Sequence, residues 1–167
     1  MSKKYDVVIK NGFVVYPEKT ILADIGIRGE TIAEIAEADT LQGEKVVDAE
    51  RNYVLPGLID PHTHPVYLDN IQDLSKTAAW GGVTTVIHYA YAKPGQSILN
   101  IVKQWKKEGE DTSYIDFALH GGLFETIKQA DELTEVFKEG VTSFKMFMSY
   151  AKLGWMTDDY ALSKAMD

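Results

Sequence analysis

After Pro56 the sequence alternates short apolar runs with longer amphipathic stretches, and this rhythm restricts the fold more than any other feature. Runs of β-branched and aromatic residues predict strands, whereas apolar residues that recur every three or four positions predict helices. The predicted strands cover residues 55–64, 83–89, 114–120 and 141–148. The predicted helices cover residues 70–80, 97–108 and 126–138, and a fourth begins at Thr157 or Asp158. Repeated units of this kind indicate an α/β protein with a parallel sheet.

Four strands separated by three complete helices correspond to the first half of a (β/α)8 TIM-type barrel. A small doubly wound sheet is built from the same units and is the alternative. No G-x-G-x-x-G follows a predicted strand, so the nucleotide-binding version of that alternative has no support. Because a complete barrel needs about 250 residues, we expect the barrel part of this chain to be truncated at its C-terminus.

The first 54 residues contain no convincing helical period and predict part of a small all-β domain of the β-sandwich type. Asn11-Gly12 is typical of a two-residue hairpin turn, and predicts that residues 5–10 pair with residues 13–16. Gly29-Glu30 predicts a further turn between two strands. The chain is therefore expected to divide into an all-β part, residues 1–54, and a barrel part, residues 55–167.

The first barrel strand ends in H-x-H, formed by His62 and His64. Side chains alternate along a strand, so both imidazoles are expected on one face, where together they can bind one metal ion. Asp60 lies on the same face and is a candidate second-shell partner that orients a metal-binding imidazole. In a chain with four histidines, an H-x-H arises by chance in roughly one case in ten. The spacing alone therefore leaves open a histidine pair that binds no metal.

Lys145 is a further candidate, because it lies within the hydrophobic stretch SFKMFMSY at residues 143–150. If its side chain faces outward, the stem packs against apolar neighbours and the amine reaches water. If it faces the barrel interior, burial favours the neutral amine, which can react with carbon dioxide to form an anionic carbamate. The pattern of the strand leaves both orientations open.

These stretches resemble the amidohydrolase superfamily, whose signature P-G-x-I-D-x-H-x-H is matched at every fixed position from Pro56 to His64. SFKMFM followed by Tyr150 resembles the hydantoinase and dihydropyrimidinase branch, and the similarity covers nearly the whole chain. The resemblance implies that Lys145 is an N6-carboxylysine that bridges two divalent metal ions, most often Zn²⁺, with His62 and His64 as ligands. It also implies that Tyr150 is a catalytic residue that stabilises the oxyanion. His88 and His120, at the ends of the second and third strands, are interpreted as second-shell or packing residues.

The resemblance implies metal-dependent hydrolysis of a ring amide in a small cyclic diamide, a dihydropyrimidine or a hydantoin. In that branch two further metal-binding histidines and a catalytic aspartate come from later strands, so these 167 residues alone are expected to be inactive. Allantoinase and dihydroorotase activities are alternatives, although a dihydroorotase would carry an arginine soon after H-x-H, where this chain has the apolar Pro65-Val66-Tyr67. The alternatives from another class are an inactive fragment and a non-catalytic assembly relative, but such relatives usually lose the metal-binding residues.

Charge and composition restrict the partners. The 17 basic and 25 acidic residues give a net charge of −8, which argues against a nucleic-acid partner. No apolar run approaches the roughly 20 residues of a membrane helix, and no signal peptide is recognisable. The absence of cysteine excludes disulfides and fits a cytoplasmic location. The resemblance implies a homo-oligomer, a tetramer or a dimer, when the protein is complete.

Overall fold

The computed structural model describes residues 4–65 and 69–167. The chain forms two compact units, one that ends at Pro56 and one that begins at Gly57. The described residues of the first unit form strands and no helix, whereas the second unit alternates strands with helices. No helix within the described residues is long and apolar enough to cross a membrane.

The first unit is a mixed sheet of five strands. Its order is β3-β2-β1-β4, and β5 pairs with the second half of β1. The antiparallel neighbours of this sheet are β1–β2 and β2–β3, whereas β4 and β5 run parallel to β1. The strands are β1 Lys4–Val15, β2 Thr20–Arg28, β3 Thr31–Glu37, β4 Gln42–Asp48 and β5 Tyr53–Val54.

The hairpin predicted at Asn11-Gly12 is wrong, because β1 runs through this dipeptide without turning. Asn11 takes the left-handed conformation, with φ 55°, and the register with β2 shifts between Ile9 and Gly12, as in a β-bulge. The backbone N–H of Asn11 donates to the buried carboxylate of Asp24 at 3.1 Å, which stabilises the bulge. The actual turn follows Tyr16, whose N–H donates to the carbonyl of Lys19 at 2.8 Å.

The second unit contains a parallel sheet of order β6-β7-β8-β9, which confirms the predicted α/β class. Its strands are β6 Leu58–Thr63, β7 Val83–Ala92, β8 Asp116–Leu123 and β9 Phe144–Met146. Its helices are α1 Ile71–Trp80, α2 Ile98–Thr112, α3 Thr126–Gln129, α4 Leu133–Lys138 and α5 Asp159–Met166. The helix predicted at residues 126–138 is interrupted by a 3-10 turn, Ala130–Glu132, so it forms two short helices.

Local capping sets the beginnings of the longer helices. Asn70, Ser97 and Asp158 each accept a hydrogen bond from a backbone N–H in the first turn of the helix that follows. A side-chain acceptor at this position satisfies a donor that has no partner within the helix. Gly82 and Gly140 follow the ends of α1 and α4 with positive φ, a conformation that costs glycine little. The predicted helix starts are therefore confirmed.

The main core of the second unit lies between the sheet and its helices. Fully buried apolar side chains of β7 and β8 pack there against those of α2 and α4; they include Ala90 and Leu123 of the strands and Ile98, Val102 and Val136 of the helices. Strands of a parallel sheet are generally buried on both faces, but Leu58 and Ile59 of β6 are 58% and 63% exposed. The physical reason is that β6 is an edge strand of the described sheet and has only one neighbour, β7.

Candidate active site

The H-x-H motif lies at the C-terminal end of β6, with His62 in the strand and His64 just beyond it. The two imidazole rings meet edge to face, with centroids 4.8 Å apart and an angle of 72° between their planes. The predicted placement of both rings on one face is thus confirmed. Two imidazoles at this separation are suited to bind the same ion.

Asp60 contacts His62 through the backbone rather than through the ring. Its carboxylate accepts a hydrogen bond from the backbone N–H of His62 at 3.1 Å. This hydrogen bond stabilises the backbone of the strand at the motif. The role of Asp60 as a residue that orients a metal-binding imidazole stays a prediction.

Two tyrosines of β7, Tyr89 and Tyr91, meet the histidine rings. The hydroxyl of Tyr91 lies 3.2 Å from Nδ1 of His64, and that of Tyr89 lies 3.4 Å from Nδ1 of His62. The Tyr89 ring also stacks on His64, with centroids 4.7 Å apart. Sequence reasoning missed both residues, although their spacing of two places them on one face of a strand that carries a run of aromatic residues.

Lys145 of β9 faces the same aromatic cluster. Its Nζ lies 4.6 Å from the ring centroid of Tyr89, 5.1 Å from that of Phe147 and 5.9 Å from that of Tyr91. These distances are within the range of cation–π attraction. Of the two orientations that the sequence left open, the structure has the one that turns Lys145 towards the aromatic cluster beside the histidine pair, where the residue is half-buried.

Glycine at position 122 makes this arrangement possible. Gly122 of β8 pairs with Tyr91 on one side and with Lys145 on the other. A Cβ at this position would lie 2.1 Å from Cδ1 of Tyr91. Because Gly122 has no side chain, the Tyr91 ring can lie over its backbone. The ring thereby comes close to Lys145 on the far side of β8.

The surroundings of His64 favour the neutral form of its imidazole. Burial, followed by the positive charges of Lys145 and His62, lowers the pKa of His64 below its ordinary value. Burial also raises the pKa of Tyr89, which keeps the phenol protonated. A neutral imidazole offers the lone pair that a metal ion needs.

Tyr150 lies at the solvent-exposed side of the cluster, four residues after the end of β9. It takes the left-handed conformation with φ 65°, and its side chain packs edge-on against Phe147 and Trp155. The residue is 53% exposed, so its hydroxyl is accessible to a molecule in the cluster. Its assignment as an oxyanion donor stays a prediction.

The other two histidines lie on opposite faces of the sheet. His120 is on the side of the cluster, 4.9 Å from the Tyr89 ring, with Nε2 3.3 Å from the carbonyl oxygen of Pro61 and Nδ1 at the hydroxyl of Ser143. His88 is not at a strand end, because β7 continues to Ala92. Its ring is fully buried on the helix side, which agrees with a packing role.

The described side chains supply part of a donor set for a metal pair. Among residues 4–65 and 69–167, no group of three His, Cys, Asp or Glu side chains could hold an ion. His62 and His64 fit as two ligands of one ion, and a carbamate on Lys145 would add an anionic oxygen donor beside them. The residues therefore fit the two-histidine and lysine part of a binuclear site. Val66 and Tyr67, which belong to the apolar segment after H-x-H, lie outside the described residues.

Known proteins resemble this chain over nearly its whole length. No protein-family model matches it. It is 34% identical to a D-hydantoinase of Streptomyces coelicolor and 33% identical to a dihydropyrimidinase of Dictyostelium discoideum, over 95% and 91% of this chain. The crystal structure of a D-hydantoinase from Bacillus sp. AR9 superposes on 95% of the chain with a TM-score of 0.82 and 32% identity.

These matches cover little more than a third of the relatives. The chain spans 37% of the Streptomyces protein, 32% of the Dictyostelium protein and 37% of the Bacillus structure. Over that part, the sequence identity and the α/β fold agree with the resemblance found in the motifs. These matches are those expected of an N-terminal part of a protein of the hydantoinase and dihydropyrimidinase branch.

Proposed function

We propose that the complete protein hydrolyses a ring amide in a small cyclic diamide, a hydantoin or a dihydropyrimidine. The observation that carries the proposal is the convergence of His62, His64 and Lys145 on one aromatic cluster at the C-terminal ends of parallel strands. In (β/α)8 barrels this end of the sheet carries the active site. The names of the relatives, D-hydantoinase and dihydropyrimidinase, support the same substrate class.

In this proposal the four parallel strands are the first half of a (β/α)8 barrel, and His62 and His64 would hold one of two Zn²⁺ ions. Lys145 would help to hold the pair as N6-carboxylysine, which forms when the neutral amine nitrogen bonds to the carbon of carbon dioxide and a proton is released. When bound, the ions supply Lewis-acid polarisation of the amide carbonyl and hydroxide near neutral pH. Two further histidines and a catalytic aspartate are expected from outside these 167 residues.

The chain's own residues position the substrate and stabilise charge. The Tyr150 hydroxyl donates a hydrogen bond to the amide oxygen as negative charge develops on it. Phe147 and Trp155, which pack against the Tyr150 side chain, line the approach to the cluster and exclude water from it. The cluster presents aromatic faces, which suit a flat, uncharged ring better than an acidic one. We further infer a cytoplasmic homo-oligomer, a tetramer or a dimer.

The proposal is tested with Lys145→Ala in the full-length protein. Zinc content is measured by mass spectrometry, and ring opening of hydantoin and dihydrouracil is followed by ultraviolet absorbance. We expect the wild type to bind two ions and to open at least one ring, and the variant to lose both properties. Lys107→Ala is the control, because Lys107 is an exposed residue of α2 whose amine pairs only with Asp111 among the described ion pairs.

A short carboxylate such as acetate offers a second test, because it can supply the missing oxygen donors. Its addition should restore part of the activity of Lys145→Ala and leave the Lys107→Ala variant unchanged. Full activity of Lys145→Ala with two bound ions would refute the carbamate assignment. A full-length wild type that binds zinc but opens neither ring would refute the substrate class.

A further inference from the structure

The two tyrosines of β7 contact the histidine pair in the same way. Tyr89 meets Nδ1 of His62, and Tyr91 meets Nδ1 of His64, at 3.4 and 3.2 Å between oxygen and nitrogen. The tyrosines are two residues apart, and so are the histidines, so two neighbouring parallel strands offer matched pairs of side chains. The two contacts therefore have a common origin, the equal spacing of the two side-chain pairs on the neighbouring strands β6 and β7.

The tyrosine rings are held firmly in these positions. Tyr89 and Tyr91 are only 7% and 8% exposed. Their rings stack on each other at 5.4 Å with an angle of 11°, and both are nearly parallel to the His64 ring. Because neighbouring rings fix each phenol plane, the two hydroxyls have little freedom to leave Nδ1.

A phenol beside Nδ1 has a consequence for the other ring nitrogen. Neutral histidine carries one proton, on either Nδ1 or Nε2, and a metal binds the nitrogen that lacks it. If Nδ1 carries the proton and donates to the phenol oxygen, the lone pair of Nε2 is left for the ion. With the proton on Nε2, the tyrosine donates to Nδ1 and the ring does not present Nε2 to a metal.

We propose that Tyr89 and Tyr91 are positioning residues that hold His62 and His64 as Nδ1–H tautomers and so present Nε2 to the metal. The proposal deepens the proposed function and rests on it for the identity of the ion. Groups that hydrogen-bond to metal-binding histidines in this way typically contribute 10- to 100-fold to metal affinity. The hydroxyls, rather than the aromatic rings, are the parts that perform this role.

The variants Tyr89→Phe and Tyr91→Phe separate the hydroxyl from the ring. Phenylalanine retains an aromatic ring beside His64 and the Lys145 side chain, and lacks only the oxygen. Tyr160→Phe is the matched control, since Tyr160 is 70% exposed on α5 and outside the cluster.

The first measurement is the tautomer of each histidine in metal-free protein, read from ¹⁵N chemical shifts at about pH 8. In the wild type we expect His62 and His64 as Nδ1–H tautomers. In Tyr91→Phe the His64 population should move towards Nε2–H while that of His62 changes little, and Tyr89→Phe should do the reverse. Nε2–H tautomers in the wild type, or equal populations in all variants, would overturn the proposal.

The second measurement is zinc affinity, obtained by competition with a chromophoric chelator on the full-length protein. We expect each variant to bind zinc 10- to 100-fold more weakly than the wild type and the Tyr160→Phe control. Affinities within about twofold of the wild type for both variants would overturn the positioning role. A wild type that binds no zinc would count against the proposed function, and the tautomers of the metal-free protein would still decide what the tyrosines do.

Discussion

Replacing His88 by leucine should make the stability of the protein less dependent on pH. His88 is fully buried against Trp105 of α2 and Phe117 of β8. Within the described residues, neither of its ring nitrogens has a hydrogen-bond partner. Burial lowers the pKa of His88 from 6.5 to about 4, and a backbone contact with Tyr89 opposes this only in part. His88 is therefore neutral in the folded protein near pH 7.

The sign of the effect follows from the order of the two pKa values. The unfolded chain takes up the proton at a higher pH than the folded protein, so the free energy of unfolding falls as the pH is lowered. The loss begins near the unfolded pKa of 6.5 and is complete below the folded pKa of about 4. The full difference corresponds to about 3 kcal/mol, of which about 2 kcal/mol is lost between pH 7.5 and pH 5.

Urea unfolding at pH 7.5 and pH 5, followed by circular dichroism, measures this difference. Wild type should lose about 2 kcal/mol more than His88→Leu between the two pH values. Val102→Ala is the control, because it weakens the same core without removing a titratable group. Its free energy of unfolding should lie below that of the wild type by the same amount at both pH values. An equal loss for wild type and His88→Leu would show that His88 does not have the lowered pKa on which the prediction depends.

Three further substitutions have defined outcomes. Tyr150→Phe should lower kcat about a hundredfold and leave the zinc content unchanged, and a loss of zinc would contradict its assignment as an oxyanion donor. Asp24→Ala leaves three backbone N–H groups without their acceptor, one of them in a buried hydrogen bond, and urea unfolding should show a loss of about 2 kcal/mol. Gly122→Ala drives a Cβ into the Tyr91 ring, so it should weaken zinc binding, whereas Gly81→Ala, whose nearest atom would be 3.4 Å away, should not.

The sequence predicted those features that depend on neighbours along the chain. Asn70, Ser97 and Asp158 mark helix starts because a capping side chain acts on the turn that follows it. The shared face of His62 and His64 follows from the alternation of side chains along a strand. The motifs around these histidines and Lys145 also identified the family, which the relatives confirm.

Local patterns misled where the sheet imposes its own geometry. Asn11-Gly12 has the sequence of a hairpin turn, but β1 pairs with β2 on one side and with β4 and β5 on the other. These partners hold the strand straight, and the dipeptide becomes a bulge that the buried carboxylate of Asp24 stabilises. The strands that pair with β1 and prevent a turn at Asn11 lie further along the chain. The residues next to Asn11 therefore give no sign of this pairing.

The tertiary structure alone decided which side chains surround the histidine pair. Tyr89, Gly122 and Lys145 come from three strands connected through helices, and the register of each strand against the next places them side by side. The same register turns His88 into the core and His120 towards the cluster. The register between parallel strands is set by the packing of the helices that connect them and by the burial of one face. The alternation of side chains along a strand shows which residues of that strand share a face, but it does not show which residues of the next strand lie beside them. The sequence therefore determined which residues share a face, and only packing across the sheet determined which of them meet.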